Sequence, residues 1–244
     1  MTKPLHDKIV LVTGASRGIG RAAAIALGAA GAHVICVART VGGLEETDDA
    51  IVKAGGTATL VPLNLKDFSA IDRLGASIFE RWGRLDGFFG NAGVLGTLTP
   101  LTHLEPKDFA DLVDINITAN WRLIRSLDPL LRLSEAGRVL LMTSGAASRH
   151  TPYWGGYAMS KAALESLGLT YAAECEGSKI KVNLLNPGPI RTAMRKKAMP
   201  GEDPQVLKTP EDVAPQLVTL LSPANTANGQ LFSYWPGSGP AGDA

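Results

Sequence analysis

The 244-residue chain balances 24 Lys plus Arg against 23 Asp plus Glu for a formal net charge of +1, and its 45% hydrophobic and 19% charged residues describe a globular protein in water, with no global field to gather nucleic acid or an anionic membrane. Cys36 and Cys175 are too few for a disulfide scaffold or, without a His cluster, for a structural zinc site, so no metal is expected and both read as buried thiols in a reducing compartment. Residues 1–7 lack the apolar stretch of a secretory signal and no apolar run reaches about 18 residues, so a cytoplasmic protein is expected.

In chain order, an apolar β-branched run at 9–13 is followed by helical periodicity at 18–30 and a second apolar run at 33–38, which together make a βαβ unit. Further apolar runs follow at 58–65, 85–90, 138–143, 179–186 and 230–234, with helical patterns between most of them. Such runs predict parallel strands covered on both faces, because a half-exposed strand would alternate apolar with polar. The expected fold class is therefore α/β, a doubly wound (Rossmann) parallel sheet of about seven strands with helices on both faces. Its ligands should bind beyond the carboxyl ends of the strands. No repeat, low-complexity stretch or linker divides the chain, so one domain over 1–244 is expected to carry both cofactor and substrate sites, with a loosely held Gly/Pro-rich tail at 236–244.

Between the first strand and an Ala-rich helix lies Thr13-Gly14-Ala15-Ser16-Arg17-Gly18-Ile19-Gly20. Glycines there let the backbone turn tightly and approach a pyrophosphate, whose charge the free N–H groups and positive end of the next helix would hold. The spacing departs from G-x-G-x-x-G, and a purely structural strand-to-helix turn would also use glycine. The second strand ends Val37-Ala38-Arg39-Thr40, without the acid that an NAD site places against the ribose 2′-hydroxyl. Arg39 and Arg17 could instead clamp a 2′-phosphate by forked, charge-assisted hydrogen bonds. NADP(H) is thus the preferred cofactor and NAD(H) the second option; the bland alternative makes both arginines solvated surface residues.

Farther along, Tyr157 and Lys161 are four apart, which on a helix makes them neighbours on one face. A nearby ammonium favours the phenolate and lowers the phenol's ordinary value near 10, making the tyrosine a usable proton donor or acceptor. A Tyr merely anchored by its hydroxyl is the alternative.

Taken together, Thr13 to Gly20, Gly90-Asn91-Ala92-Gly93, Ser144, Tyr157-Ala158-Met159-Ser160-Lys161 and Asn186-Pro187-Gly188 resemble the successive motifs of the compact short-chain dehydrogenase/reductase family. Arg191-Thr192-Ala193-Met194-Arg195 and Glu202-Asp203-Pro204 resemble an oxoacyl-reductase-like bacterial branch of it. The resemblance implies a catalytic set of Ser144, Tyr157, Lys161 and Asn116, with Asn116 holding a water that links bulk solvent through Lys161 to Tyr157. An Asn that caps or kinks its helical stretch, 107–123, is the plainer reading. Ser144 follows the fifth run and precedes Tyr157 by the family's separation; its hydroxyl can donate to a carbonyl oxygen on which negative charge grows. Thr143 is assigned to the strand end.

The implied cofactor-binding set is Gly14, Ser16, Arg17, Gly18, Ile19, Gly20, Arg39, Asn64, Leu65, Asn91, Ala92, Gly93, Tyr157, Lys161, Pro187, Gly188, Ile190 and Thr192. Gly90 departs from the family pattern, which has Asn there, and Asn64 stands where Asp is frequent. The implied activity is an NADP(H)-dependent interconversion of a small-molecule carbonyl and alcohol. Alternatives are an NAD-preferring alcohol dehydrogenase, a non-catalytic NAD(P)-sensing protein on the same fold, and an epimerase or dehydratase of the extended branch. The sensor needs none of the catalytic set, and the extended branch's Gly spacing and longer substrate domain are missing.

Candidate walls of a substrate pocket are Val94, Leu95, Ala146, Ser148, His150, Trp154 and Pro189. Arg191, Arg195, Lys196 and Lys197 could greet an acidic carrier or coenzyme A thioester, or form a solvated lid face. A homodimer or homotetramer joined through helices flanking the site is implied, with Trp235 as a candidate contact.

Overall fold

The computed structural model describes residues 3–234, so the tail at 236–244 and Trp235 lie outside the described residues. The chain runs β1 Ile9–Thr13, α1 Gly18–Ala29, β2 His33–Ala38, α2 Val41–Lys53, β3 Thr57–Pro62, α3 Phe68–Trp82 and β4 Gly87–Gly90. It continues through α4 Pro106–Leu112, a π-helical turn at Val113–Thr118, α5 Ala119–Arg132, β5 Arg138–Met142 and a 3₁₀ turn at Gly145–Ala147. The last elements are α6 Gly155–Glu174, β6 Lys181–Asn186, α7 Ala193–Ala198, α8 Pro210–Leu221 and β7 Leu231–Ser233.

The seven strands form one sheet in the order β3-β2-β1-β4-β5-β6-β7, and every pairing is parallel. Successive residues of a strand point to opposite faces, and here both faces are apolar. Leu11, Ile35, Phe88, Leu141 and Leu184 pack on one side with Ile71 and Leu74 of α3, Leu123 and Leu127 of α5, and Leu164 of α6. Val10, Val12, Val34, Phe89, Leu140 and Leu185 pack on the other with Ala23 and Leu27 of α1, Leu44 and Ile51 of α2, and Val213 and Leu217 of α8. The two-sided doubly wound sheet read from the apolar runs is the observed fold.

Expected coverage on both faces fails at the edges. β3 and β7 are only half-buried or exposed along their lengths, because each has a single neighbouring strand. The third run was expected to reach residue 65 but ends at Pro62; Leu63 N–H makes a last ladder bond to Ala38, after which the chain turns into α3. The fourth begins at Gly87 rather than 85, since Leu85 N–H is taken by Leu130 of α5. The helical stretch expected over 107–123 is continuous in space but loosened by the π turn at its centre.

Candidate active site

Strand order reverses between β1 and β4, and in such a sheet the crevice beyond the carboxyl ends opens there. Its floor is built by Thr13, the last residue of β1. The Thr13 hydroxyl accepts from the N–H groups of Asn91 and Ala92 at 3.0 Å each, and Asn91 Nδ2 returns a bond to the Thr13 carbonyl at 2.9 Å. Gly14 then turns the chain at φ +68, a conformation that a side chain would strain. A Cβ on Gly20 would lie 2.3 Å from the Gly14 carbonyl oxygen and 2.5 Å from Asn91 Nδ2, so the helix can approach the loop only without one. The amino end of α1 carries no acid and no side-chain cap, which leaves first-turn N–H groups free at the crevice. These residues fit a dinucleotide phosphate.

Tyr157, Ser160 and Lys161 lie in the first two turns of α6, on the same stripe that is continued toward the core by Leu164, Gly168 and Tyr171. The stripe thus changes from apolar to polar where it leaves the sheet. Lys161 is 3% exposed, and its amine donates to the Met142 carbonyl at 2.7 Å and lies 5.8 Å from the Tyr157 ring centroid. Burial lowers the Lys161 amine to about 8, against the opposing charge of Glu165. Burial also pushes the Tyr157 phenol up to about 12, the Ser144 hydroxyl being the neighbour that pulls it down. The acidified phenol expected from its lysine neighbour is therefore not what the cofactor-free chain holds; desolvation outweighs that effect. Ser144 follows β5 in extended backbone; its Oγ accepts from Ala146 N–H at 3.2 Å, and its own proton faces the Tyr157 oxygen. The Thr143 hydroxyl donates instead to Glu165 Oε1 at 2.7 Å, and β5 ends at Met142, one residue before the strand end assigned to Thr143.

Asn116 sits in the π turn with no exposed surface. Its Oδ1 accepts from Val94 N–H at 2.8 Å, and its Nδ2 donates to the Val94 carbonyl and to Ser160 Oγ at 2.9 Å each. Every hydrogen of the amide is spent on protein. The side chain thus braces Val94 and Ser160, and the Asn116 main-chain carbonyl accepts from Asn120 Nδ2 at 3.0 Å.

A cleft of about 680 Å³ joins these parts. Of the cofactor set expected from the sequence, Gly14, Arg17, Gly18, Ile19, Asn91, Ala92, Gly93, Tyr157, Lys161, Pro187, Gly188, Ile190 and Thr192 line it, together with Ser144. Ser16, Gly20, Arg39, Asn64 and Leu65 do not. Ser16 packs against Gly43 of α2. Arg39 is exposed just past β2 and, with Lys66 and Lys107, helps hold the Asp111 carboxyl below its usual range, Lys66 most of all through its hydrogen bond. Asn64 Oδ1 accepts from Lys66 N–H at 3.2 Å in the turn before α3, and Leu65 is a core residue.

Among the expected substrate walls Val94, Leu95 and Trp154 line the cleft, whereas Ser148 and His150 point to solvent and Ala146 and Pro189 are not in its lining. Of the basic residues after β6, Arg191 is bonded to the carbonyls of Pro204, Gln205 and Leu207, and Arg195 forms a forked pair with Glu202 at 2.6 Å. They brace the segment over the cleft, while Arg191, Lys196 and Lys197 form no ion pair among the described residues.

A family model for the short chain dehydrogenases matches residues 8–203. The chain belongs to the short chain dehydrogenase family. It is 36% identical over 240 residues to the uncharacterised oxidoreductase YciK of Escherichia coli K12, covering 97% of this chain and 95% of that one. A short chain dehydrogenase of Shigella flexneri, solved in complex with NADP, superposes with a TM-score of 0.92 at 36% identity over 97% of this chain and all of that one, 100%. The 3-oxoacyl-[acyl-carrier-protein] reductase of Synechocystis is 30% identical over 191 residues, 78% of this chain and 77% of that protein. This short chain dehydrogenase is thus an NAD(P)-dependent oxidoreductase acting on small molecules. No helix among its described residues is long and apolar enough to cross a membrane.

Sequence reasoning missed three contributors. Thr13 was quoted within the loop but not recognised as the bond that fastens β1 to the β4 exit. Asn120 lies one helical turn past Asn116, and its Oδ1 occupies the space that a side chain at Gly90 would need, 2.8 Å from an added Cβ. The third is Glu165, one turn beyond Lys161; the i, i+4 spacing was its signal.

Proposed function

We propose that this enzyme reduces the carbonyl of a small molecule to an alcohol, with NADP(H) as its preferred cofactor, and that Ser144, Tyr157 and Lys161 carry the proton chemistry. The observation that supports it most is the convergence of those three side chains in one cleft beside the uncapped amino end of α1. Arg17 in the cleft wall and Arg39 beyond β2, with no acid at the strand end, favour a 2′-phosphate. The cofactor would supply the hydride. Ser144, beside Tyr157, donates its hydroxyl proton to the carbonyl oxygen and so stabilises the charge that grows there. Tyr157, protonated through the whole neutral range, delivers a proton to that same oxygen, which favours the reductive direction. Lys161 gives one N–H to Met142 and has two left for ribose hydroxyls and for returning a proton toward Tyr157. A water on the Asn116 main-chain carbonyl completes the relay.

Both sites belong to one domain over 1–244, in a cytoplasmic protein that assembles as a homodimer or homotetramer. The half-exposed Trp121 on α5 and Met159 and Leu169 on α6 support association through those helices. The deciding experiment is a screen of ketones, quinones and 3-oxoacyl thioesters for NADPH consumption. Turnover of one class is expected; tight NADPH binding with no turnover in any would replace the enzyme by the sensor.

A further inference from the structure

Two residues immediately before Ser144 are each tied to α6. Met142 receives the Lys161 amine on its carbonyl at 2.7 Å, and Thr143 donates its hydroxyl to Glu165 Oε1 at 2.7 Å. Lys161 and Glu165 are one turn apart, so a single helix face grips consecutive residues of the β5 exit. Resting on the function proposed above, we infer that Glu165 is a positioning residue of this site: its carboxylate fixes the β5 exit that aims the Ser144 hydroxyl, and stands one helical turn from the buried Lys161 on the same face.

The charge argument follows from what surrounds Lys161. Among the described residues no carboxylate forms an ion pair with it. Tyr157 and Ser160 from its own helix, Ser144 from the β5 exit and Asn116 from the π turn offer no negative charge. Arg149 lies against Gly145 at the far end of the 3₁₀ turn and would only oppose an ammonium. Glu165 is the single group that raises Lys161 against burial. A neutral amide at 165 could still accept from Thr143, so the two duties separate by substitution.

In cofactor-free protein, an NMR titration of the Lys161 side chain is expected to show a midpoint about one pH unit lower in Glu165→Gln than in the unaltered chain, with the alkaline limb of kcat moving the same way. Thr143→Val keeps the charge and loses the tether; it should leave the Lys161 midpoint in place, lower kcat about tenfold with KM little changed, and be rescued by Thr143→Ser. An unaltered midpoint in Glu165→Gln, or an unaltered kcat in Thr143→Val, overturns the inference. Reduction that survives in Tyr157→Phe overturns the proposed reaction instead, so the two failures are distinct.

Discussion

Asn116 grips both main-chain polar groups of Val94, accepting from its N–H at 2.8 Å and donating to its carbonyl at 2.9 Å. This places the wall that follows β4 against the π turn, and the bond from Asn116 to Ser160 ties both to α6. Replacing Asn116 with Ala strands one donor, the Val94 N–H, and two acceptors, the Val94 carbonyl and Ser160 Oγ, each costing about 1–3 kcal/mol. The variant is expected to unfold at a lower denaturant concentration and to lose turnover; an unchanged urea midpoint would contradict the brace.

Tyr157→Phe removes one hydroxyl and leaves the ring that packs with Leu95 and Leu112. Reduction should fall by a factor on the order of a hundred or more, the range of general acid catalysis, while NADPH affinity measured by fluorescence stays within a few-fold.

Cofactor choice tests the arginines. Arg39→Asp puts a carboxylate where a ribose 2′-hydroxyl would be read, and the ratio of kcat/KM for NADPH over NADH should drop by about tenfold or more. Arg39 is exposed and outside the cleft lining, so Arg17→Ala is the companion measurement; indifference of both variants to the 2′-phosphate would leave the clamp without support.

The pH dependence has opposite signs for rate and for stability. Lys161 is depressed to about 8 from its ordinary 10.5, so kcat/KM for reduction should decline as pH rises through about 8, whereas Tyr157 keeps its proton to about 12. Between those two Lys161 values the unfolded chain holds the proton that the folded chain has shed, so this group makes the fold more stable with rising pH in that window. Parallel profiles of rate and denaturation midpoint from pH 7 to about 10 check both. A rate that holds constant across the window would remove Lys161 charge from the mechanism.

A methyl on Gly20 meets the Gly14 carbonyl oxygen at 2.3 Å. Gly20→Ala is expected to push α1 from the loop and weaken NADPH binding by about tenfold or more, readable in a direct titration.

The sheet was legible because its strands are apolar on both faces, a pattern visible in neighbours such as Phe88 and Phe89 that pack on opposite sides. Edge strands escaped that logic: Thr57 and Thr59 face His33 rather than a covering helix, at 2.8 and 2.9 Å from its ring nitrogens. The cleft residues were legible from motif and strand-end position. What the motifs could not convey is burial. The spacing of Tyr157 and Lys161 was correct, but the acidity inferred from it neglected desolvation, which requires knowing what covers the helix. Asn116 was found in the right place, but a sequence does not reveal that both its amide hydrogens are already used on Val94 and Ser160.

The segment after β6 leaves and rejoins the body at one point, where Ile190 bridges Lys208, Arg191 N–H bonds the Lys208 carbonyl, and the Arg191 side chain stitches 204, 205 and 207. With its base fastened this way, the intervening stretch is an excursion held chiefly at its root. Its length and residues can change without moving the strand end it departs from, because the two ends of the excursion stay fastened to each other.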